Sequence, residues 1–416
     1  MLYSRYLSSL LTEACQDTPV ILVNGARQTG KTTLVKNVAS RTGQSTAYRT
    51  LDDATVLAAA KADPHAFIDS LPDQVIIDEV QHCPELFPAI KLSVDRNRMP
   101  GRFILTGSAN VFLLPKLSES LAGRMEILTL YPLSEAEIVG GSSAVVDALF
   151  APIFSALHAA PGVSRQELVR RILTGGYPEP LQRAAASRRE QWYGSYLTTI
   201  LQRDVRDIAN IEGITLLPRL LTVLASRTAN LLNVTDLAGS LALPYTTIHR
   251  YLSLLEATYL VQRLPAWSGS TGARMIKAPK VYVSDTGLAG HLLGLDAERL
   301  LENDGGGGTI LGGLLETYVV MELQKHSSWS ETRPTLYHFR TQARQEVDLV
   351  LERRSGEVVG VEVKAAASVG ENDFRGLKIM QEALGKRFLR GIVFYSGENT
   401  VAFGENLYAV PLSFLW

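Results

Sequence analysis

Residues 25–32 of this chain have the sequence Gly25-Ala26-Arg27-Gln28-Thr29-Gly30-Lys31-Thr32, which fits the pattern G-x-x-x-x-G-K-[ST]. The apolar residues 20–23 before it predict a buried strand, and residues 33–39 after it are compatible with a helix. This pattern forms a phosphate-binding loop, the P-loop, when it lies between a strand and a helix. The sequence therefore predicts an α/β domain that binds a nucleotide near the start of the chain.

The residue types of the P-loop suit the binding of a polyphosphate. Glycines let backbone N–H groups approach phosphate oxygens, and the N-terminus of the following helix adds the positive end of its dipole. We expect Lys31 to contact the β- and γ-phosphates of ATP or GTP, and the Thr32 hydroxyl to bind Mg²⁺. The candidate nucleotide-binding residues are Gly25, Ala26, Arg27, Gln28, Thr29, Gly30, Lys31, Thr32 and Thr33.

Two later strand ends carry polar residues that hydrolysis of a nucleotide requires. Residues 74–79 form an apolar strand that ends in Asp78 and Glu79, the pattern of a Walker B motif. We expect Asp78 to bind Mg²⁺, and Glu79 to orient or deprotonate the attacking water. The next predicted strand is followed by Thr106 and Ser108, which are candidates for contact with the γ-phosphate, or else ordinary turn residues.

Arg124 lies just before a further predicted strand. An arginine at this place can reach the nucleotide of a neighbouring subunit and stabilise the charge of the transition state. The alternative is a surface arginine at the start of a strand. The first interpretation requires a homo-oligomer, which we expect this chain to form.

The order of these motifs resembles that of a family of bacterial and archaeal AAA-type ATPases that carry a C-terminal domain of unknown function. The resemblance spans nearly the whole chain, and it implies an ATP-binding protein with an AAA-like core. The matching stretches are GARQTGKT at 25–32, VIIDEVQ at 75–81, ILTGSAN at 104–110, LAGRMEILTLYPLSEAE at 121–137, GGYPEP at 175–180 and DTGL at 285–288.

The size and composition of the chain limit its class. A length of 416 residues suggests two to four domains, and a net charge of −1 requires that any nucleic-acid site be a local patch. The two cysteines, Cys15 and Cys83, exclude a disulfide framework. No apolar run approaches the ~20 residues of a membrane helix, and residues 1–6 lack the pattern of a signal peptide. We expect a cytoplasmic protein without a membrane partner.

The sequence of the middle part predicts a helical region at residues 141–212 and a winged-helix-like domain at residues 213–300. In the second part, predicted helices at 234–241 and 245–256 are followed by a predicted strand at 259–264. DNA is therefore the expected partner, although such modules also serve as packing or protein-binding units. The outward residues of the second helix that suit phosphate and base contacts are Tyr245, Thr246, Thr247, His249 and Arg250.

The C-terminal domain is predicted at residues 305–416, after a flexible glycine-rich linker at 304–309. Its order of elements and its acidic residues resemble the PD-(D/E)XK nuclease fold. The predicted elements are a helix at 312–326, strands at 335–340, 346–352 and 357–364, a helix at 372–384 and a strand at 389–395.

Four residues of this domain match the metal site of that fold. Glu362 and Lys364 share one face of a strand because side chains alternate along it, and Asp348 lies on the neighbouring strand. Glu316 lies on the first helix. Neighbouring carboxylates repel one another, so we expect a divalent cation between them, with Lys364 neutralising developing charge. The alternative is a set of structural ion pairs.

The sequence thus predicts an α/β chain with a P-loop AAA-like parallel-sheet domain at residues 1–140, a helical and winged-helix middle, and a PD-(D/E)XK-like domain. The leading hypothesis is an ATP-hydrolysing protein that acts on or near DNA. The alternatives are an ATP-controlled, metal-dependent nuclease for defence or repair, and a nucleotide-dependent switch whose partner is a protein.

Overall fold

The computed structural model of the chain describes the greater part of its 416 residues. Within this part, the strands form one sheet of five, one of six and one of three strands. No described helix is both long enough and apolar enough to cross a membrane. The described residues are 3–41, 46–108, 121–154, 162–205, 216–269, 277–302, 307–341, 343 and 345–416.

The first sheet is parallel and has the strand order β2-β3-β4-β1-β5. Its three central strands are buried along their whole length, because helices cover both faces. The strands are β1 (Val20–Asn24), β2 (Ala47–Thr50), β3 (Val75–Asp78), β4 (Phe103–Gly107) and β5 (Met125–Thr129). The helices are α1 (Leu7–Asp17), α2 (Lys31–Arg41), α3 (Ala54–Ala62), α4 (Pro64–Asp69), α5 (Leu86–Arg96) and α6 (Glu135–Val139).

Alternate residues of the central strands enter two separate apolar clusters, as the period of a strand requires. On one face, Val20 and Leu22 of β1 lie in a cluster with residues of α3, α4 and α5. On the other face, Ile21 and Val23 lie in a cluster with residues of α1 and α2. This layered packing fixes the ends of β1, β3 and β4, from which the polar residues of the first site project.

The middle of the chain is mostly helical, as predicted. The two helices of the predicted helix–turn–helix form with their predicted starts, and the strand after them begins two residues later than predicted. The helices are α7 (Val145–Phe150), α8 (Arg165–Thr174), α9 (Pro178–Leu181), α10 (Ala186–Thr199), α11 (Leu217–Ser226), α12 (Val234–Leu241), α13 (Tyr245–Ala257), α14 (Thr286–Leu292) and α15 (Ala297–Leu301). An antiparallel sheet in the order β6-β8-β7 joins β6 (Asn230–Leu231), β7 (Val261–Leu264) and β8 (Lys280–Val283).

The C-terminal part contains a mixed six-stranded sheet in the order β13-β14-β12-β11-β10-β9. The predicted strands and helices of this part are present, and β13 and β14 extend the sheet beyond the last predicted strand. The strands are β9 (Thr335–Arg340), β10 (Glu346–Glu352), β11 (Val358–Lys364), β12 (Phe388–Tyr395), β13 (Val401–Ala402) and β14 (Leu407–Pro411), and the helices are α16 (Gly307–Trp329) and α17 (Arg375–Leu384).

The predicted glycine-rich linker is partly wrong. Its residues 304–306 lie outside the described part of the chain, but Gly307 and Gly308 already belong to α16, which starts five residues earlier than predicted. Glycine disfavours a helix by only about 1 kcal/mol per residue. The burial of Leu311, Leu314 and Leu315 on the same helix outweighs this cost.

Helix α16 contacts both the nucleotide-binding part and the middle part. The Lys325 ammonium donates to the Leu133 carbonyl oxygen at 3.0 Å, and the Glu322 carboxylate accepts from the Glu135 N–H at 2.8 Å. The Gln324 amide bonds to Gln262 of β7 at 2.9 Å. The long helix therefore links all three parts of the molecule.

Candidate functional site

The P-loop connects the end of β1 to the start of α2, and its glycines have backbone angles that other residues rarely adopt. Gly25 has φ +143° and Gly30 has φ +95°. A Cβ atom on Gly25 would also clash with the carbonyl oxygen of Leu130, at the end of β5. Glycine is therefore required at position 25 by both conformation and packing, and the shape of the loop follows from it.

Lys31 lies inside the P-loop and is only 5% exposed. Its ammonium donates to the carbonyl oxygens of Gly25 at 2.9 Å and of Ala26 at 2.8 Å. The Thr29 hydroxyl bonds to Ala26 as well, at 2.9 Å, and the Arg5 guanidinium donates to the Thr29 carbonyl oxygen at 2.8 Å. The loop thus places a positive charge among neutral backbone acceptors.

The structure brings the predicted magnesium ligands Thr32 and Asp78 together. The Thr32 hydroxyl lies 3.1 Å from each carboxylate oxygen of Asp78. The Asp78 carboxylate also accepts hydrogen bonds from Tyr48 at 2.6 Å and from the Thr106 hydroxyl. Burial and the bond to Asp78 raise the pKa of the Tyr48 hydroxyl. This set of oxygen atoms suits a hard cation such as Mg²⁺.

Glu79 follows Asp78 in a left-handed conformation, with φ +58°. Its N–H donates to the Thr106 hydroxyl at 3.2 Å, and its carboxylate accepts from the side-chain amide of Gln81. The same amide donates to the Ser108 hydroxyl at 2.9 Å. Gln81 therefore joins two predicted site residues. We did not predict this role, although Gln81 ends the stretch VIIDEVQ that carries the family resemblance.

The second candidate site lies in the C-terminal part, where the structure places Glu316, Asp348 and Glu362 near one another. The Lys280 ammonium lies between two of these carboxylates, 2.7 Å from Glu316 and 3.3 Å from Asp348. Tyr282, on the same strand β8, donates to the same oxygen of Glu316 at 2.7 Å. Strand β8 thus supplies both a cation and a hydroxyl donor to this cluster.

The remaining contacts of the carboxylate cluster are also internal to the chain. Asp348 accepts from the Val363 N–H at 3.0 Å, and the Lys364 ammonium lies 3.6 Å from Glu362. Burial, with the charge of Asp348, raises the pKa of Glu316 to about 8, and the same two causes raise the pKa of Glu362 well above its usual range. Crowded, buried carboxylates favour the retention of protons.

The metal site predicted at Glu316, Asp348 and Glu362 stays a prediction, and the structure places the Lys280 ammonium among its carboxylates. Among the residues that the structure describes, no three carboxylate, histidine or cysteine side chains are arranged to hold a metal ion. The ammonium of Lys280 lies between Glu316 and Asp348 and supplies the positive charge that we assigned to a metal ion. We missed Lys280 because it precedes Asp348 by 68 residues and belongs to another predicted domain.

Comparisons with known proteins agree with the geometry of the first site. A family model described as an AAA domain matches residues 17–139. Two models described as domains of unknown function, DUF8612 and DUF4143, match residues 165–299 and 311–415. The match at residues 17–139 covers the P-loop and the strand ends that carry Asp78, Thr106 and Ser108. The chain is a P-loop ATPase.

Relatives extend the similarity to the whole chain. Uncharacterised proteins of Mycobacterium tuberculosis and Mycobacterium bovis are each 32% identical over 409 residues, which is 98% of this chain and 83% of theirs. The chain belongs to the family of these mycobacterial proteins. A Haemophilus influenzae protein is 23% identical over 232 residues, 53% of this chain and 52% of its own length.

Solved structures show weaker similarity. The ATPase superimposes on a Walker-type ATPase of Pyrococcus abyssi with a TM-score of 0.44 and 14% identity, over 70% of this chain and 96% of the other. It superimposes on the Holliday junction branch migration motor RuvB of Thermotoga maritima with a TM-score of 0.29 and 19% identity, over 62% and 87%.

Arg124 is not part of the P-loop site of its own chain. Strand β5 runs parallel to β1 with Met125 opposite Val20, so Arg124 lies at the edge of the sheet opposite to the P-loop. Its guanidinium makes two bonds to Asp95, at 2.5 and 3.1 Å. The predicted contact with the nucleotide of another subunit stays a prediction, and it requires this ion pair to break.

The outward residues of α13 lie at the surface of the ATPase. Tyr245 is 54% exposed, and Thr246 and Arg250 are exposed. His249 is partly buried, with its ring 4.5 Å from that of Tyr245. Ile248 on the opposite face is fully buried. The helix therefore separates an apolar inner face from a polar outer face, as predicted.

Proposed function

We propose that this ATPase binds ATP together with Mg²⁺ at the P-loop and uses Glu79 to activate the attacking water. The observation that carries the proposal is the contact of the Thr32 hydroxyl with both oxygens of Asp78, next to the buried Lys31. Mg²⁺, when bound, neutralises charge on the β- and γ-phosphates. The residues fit this ion because they are a hydroxyl at the start of α2 and a carboxylate at the end of the buried strand β3.

Each side chain of the site has one role in the proposal. Lys31 leaves the carbonyl oxygens of its own loop and binds phosphate oxygens, which are stronger acceptors because they are charged. Glu79 orients the water and accepts its proton. Thr106 and Ser108 contact the γ-phosphate region, and their bonds to Asp78 and Gln81 link that contact to the base.

The variant Glu79→Gln tests the catalytic part of the proposal. It keeps the size of the side chain and removes the basic oxygen, so we expect ATP binding close to that of the wild type. Turnover should fall about 10²–10⁴-fold, the usual contribution of a general base. Calorimetric titration measures binding, and phosphate release measures turnover. Wild-type turnover in this variant would remove Glu79 from its proposed role.

We propose further that the ATPase acts on DNA through a winged-helix unit at residues 213–300, with α13 as the contact helix. The proposal is supported by the helix–turn–helix of α12 and α13, by the small sheet next to it, and by the exposed Thr246 and Arg250. Such residues bind phosphates and base edges. The remaining proposed domains are residues 1–140, 141–212 and 305–416.

A fluorescence titration with duplex DNA at low salt tests this second proposal, since phosphate contacts are strongest there. We expect the double variant Thr246→Ala, Arg250→Ala to bind DNA about tenfold or more weakly, and to retain basal ATP turnover. The matched control is Arg188→Ala, an exposed arginine on α10. Equal affinity of wild type and double variant would exclude α13 as the contact helix and would favour a protein partner.

We propose that the C-terminal part has a PD-(D/E)XK-like fold whose carboxylates serve as ion-pair partners of Lys280. The alternative of an ATP-controlled nuclease is less well supported, because a buried ammonium lies at the carboxylates that would bind the metal ion. The proposal includes a homo-oligomer only because the predicted role of Arg124 is to contact the nucleotide of a neighbouring subunit. A cytoplasmic location is supported by the free cysteines Cys15 and Cys83.

A further inference from the structure

A cavity of about 820 Å³ opens beside the P-loop. One wall is formed by Gln28 and Gly30 of the loop and by Thr33 of α2. Other lining residues belong to the middle part of the chain and include Pro178 of α9 and Trp192 of α10. The volume lies within the range of small-molecule sites, and the cavity adjoins the proposed phosphate site directly.

Trp192 is held in a fixed orientation by other aromatic rings. It stacks on Tyr196, with ring centres 4.9 Å apart and planes 13° apart, and its ring centre lies 5.5 Å from that of Tyr177. Aromatic pairs of this kind stabilise a side-chain position beyond simple burial. The indole is therefore a rigid, partly buried wall of the cavity.

The ring on which Trp192 stacks is bonded to the P-loop itself. The Tyr196 hydroxyl donates to the Arg27 carbonyl oxygen at 3.3 Å, and the hydroxyls of Tyr196 and Tyr177 lie 3.0 Å apart. Tyr177 belongs to the stretch GGYPEP, for which the sequence alone gave no role. Helix α10 thus touches both the cavity and the backbone of the loop that binds phosphate.

The same network reaches the stretch DTGL at 285–288. The Asp285 carboxylate accepts from the Gly176 N–H at 2.8 Å and from the Tyr193 hydroxyl at 2.9 Å, and it caps α14 through the Leu288 N–H at 3.0 Å. A Cβ atom on Gly175 would clash with Asp285. The two stretches GGYPEP and DTGL therefore form one buried unit behind Trp192, which explains the residue types at these positions.

We propose that Trp192 stacks on the base of the bound nucleotide, and that Tyr196 is a positioning residue which couples this contact to the P-loop backbone at Arg27. The inference rests on the proposed binding of ATP. It adds that the nucleoside bridges the AAA domain and the middle part, so that α10 responds to the occupancy of the cavity. The ligand class is a nucleoside triphosphate, since stacking requires a base and the P-loop requires phosphates.

The binding of two ligands, ATP and tripolyphosphate with Mg²⁺, separates the inference from the function on which it rests. In calorimetric titrations we expect Trp192→Leu to weaken ATP binding about tenfold and to leave tripolyphosphate binding unchanged, because only ATP has a base to stack. Trp192→Phe should restore most of the ATP affinity. The matched control is Trp267→Phe, which changes a buried tryptophan of another cluster.

The outcomes are distinct. Unchanged ATP affinity in a folded Trp192→Leu protein, with tripolyphosphate bound normally, overturns the inference alone. Failure of the wild type to bind either ligand overturns the proposed function as well. Energy transfer from Trp192 to the labelled nucleotide mant-ATP gives a second reading. It should decrease in Trp192→Phe and persist in Trp267→Phe, and the reverse result counts against the proposal.

Tyr196→Phe tests the coupling. It removes the hydroxyl that bonds to Arg27 and keeps the ring that supports Trp192. We expect kcat to fall several-fold with the KM for ATP nearly unchanged, because the base contact survives while the loop loses an anchor. The control is Tyr259→Phe, since within the described residues that buried hydroxyl has no hydrogen-bond partner. Equal kcat in wild type and Tyr196→Phe contradicts the coupling.

Discussion

Two buried lysines, Lys31 of the P-loop and Lys280 of the C-terminal cluster, are each about 5% exposed or less, but they have different partners. Lys31 donates to two neutral carbonyl oxygens of its own loop. Lys280 lies against the carboxylates of Glu316 and Asp348. A carboxylate is a stronger acceptor for an ammonium than a neutral carbonyl oxygen, because both partners are charged. In the proposed function, charged phosphate oxygens replace the carbonyl partners of Lys31, whereas Lys280 already has carboxylate partners within the fold.

The function of acidic residues near a lysine depends on whether a cation of the chain is already paired with them. Asp78 accepts from hydroxyl donors in the contacts described above, and we propose that Mg²⁺ binds beside them. The carboxylates of the C-terminal cluster have a cation from strand β8, whose backbone is paired on both sides by β6 and β7. The first site is suited to ligand binding, and the second to holding two parts of the chain together.

The largest effect on stability should come from Lys280→Met. Above about pH 8, where the Glu316 carboxyl is ionised, this change leaves buried carboxylates without their cation, and breaking a buried pair in this way costs about 3–5 kcal/mol. We expect the C-terminal sheet to unfold at a lower urea concentration. Amide hydrogen exchange of β10 and β11, measured at increasing urea concentrations, gives the midpoint of this unfolding. Lys31→Met is the matched control and should shift this midpoint little. A stable Lys280→Met protein would contradict the account of the second lysine.

The double variant Lys280→Met, Glu316→Leu sharpens the same comparison. Replacing both partners of a buried pair by apolar residues is often neutral or stabilising. We therefore expect the double variant to recover a large part of the stability that Lys280→Met loses, in the same denaturation experiment. The single variant Glu316→Leu completes the comparison. If the double variant lost as much stability as the sum of the losses in Lys280→Met and Glu316→Leu, the lysine and the glutamate would not stabilise one another.

The effect of pH should also distinguish the two sites. The pKa of Glu316 is raised by burial to about 8, above the value of about 4.3 in an unfolded chain. The folded state then binds a proton that the unfolded state has lost, so this contribution to stability is complete below about pH 4 and is lost as the pH rises to about 8.

The variant Glu316→Gln, which cannot ionise, isolates that contribution. We expect the stability of the wild type relative to Glu316→Gln to decrease between about pH 4 and pH 8, measured by urea denaturation at each pH. The buried His326 and His338 have pKa values lowered to about 4 and act in the opposite direction, but they are the same in both proteins. A difference that increases with pH would contradict the raised pKa.

Much of the fold follows from the sequence, because β1, β3 and β4 are short apolar runs whose polar ends are recognisable, whereas β2 has no such pattern and was not predicted. Asp78 and Thr106 lie together because the ends of parallel strands share one edge, and the P-loop after β1 brings Thr32 at the start of α2 to the same edge. Lys280 could not be predicted, because its position depends on how β8 meets the C-terminal sheet. Likewise, the extent of α16 depended on tertiary burial that overrides the low helix propensity of glycine.

A smaller effect is expected for Gln81→Ala, which tests whether the polar contacts around Glu79 are important for catalysis. The change removes the amide that bonds to Glu79 and Ser108. We expect ATP affinity to be nearly unchanged and turnover to fall about tenfold, as for a group that orients a catalytic base. The measurement is phosphate release at saturating ATP. Turnover equal to that of the wild type would show that Glu79 needs no such orientation.

The smallest effect is expected for Arg124→Ala and Asp95→Ala. Their ion pair is partly exposed, and such pairs contribute little to stability because solvent screens them. We expect each variant to leave the midpoint of thermal denaturation nearly unchanged. A large decrease of that midpoint would show a structural role for the pair. A strong fall in turnover for Arg124→Ala alone would support the predicted role of Arg124 at a subunit interface.

The most direct test of the central claim is calorimetric titration of ATP and Mg²⁺ into the wild type, Lys31→Ala and Lys280→Met under conditions where each is folded. The account predicts binding by the wild type and by Lys280→Met with similar affinity, and a loss of about 100-fold or more for Lys31→Ala, since a bond to a charged phosphate is removed from a buried site. Unchanged affinity in Lys31→Ala would contradict the assignment of the P-loop as the nucleotide site.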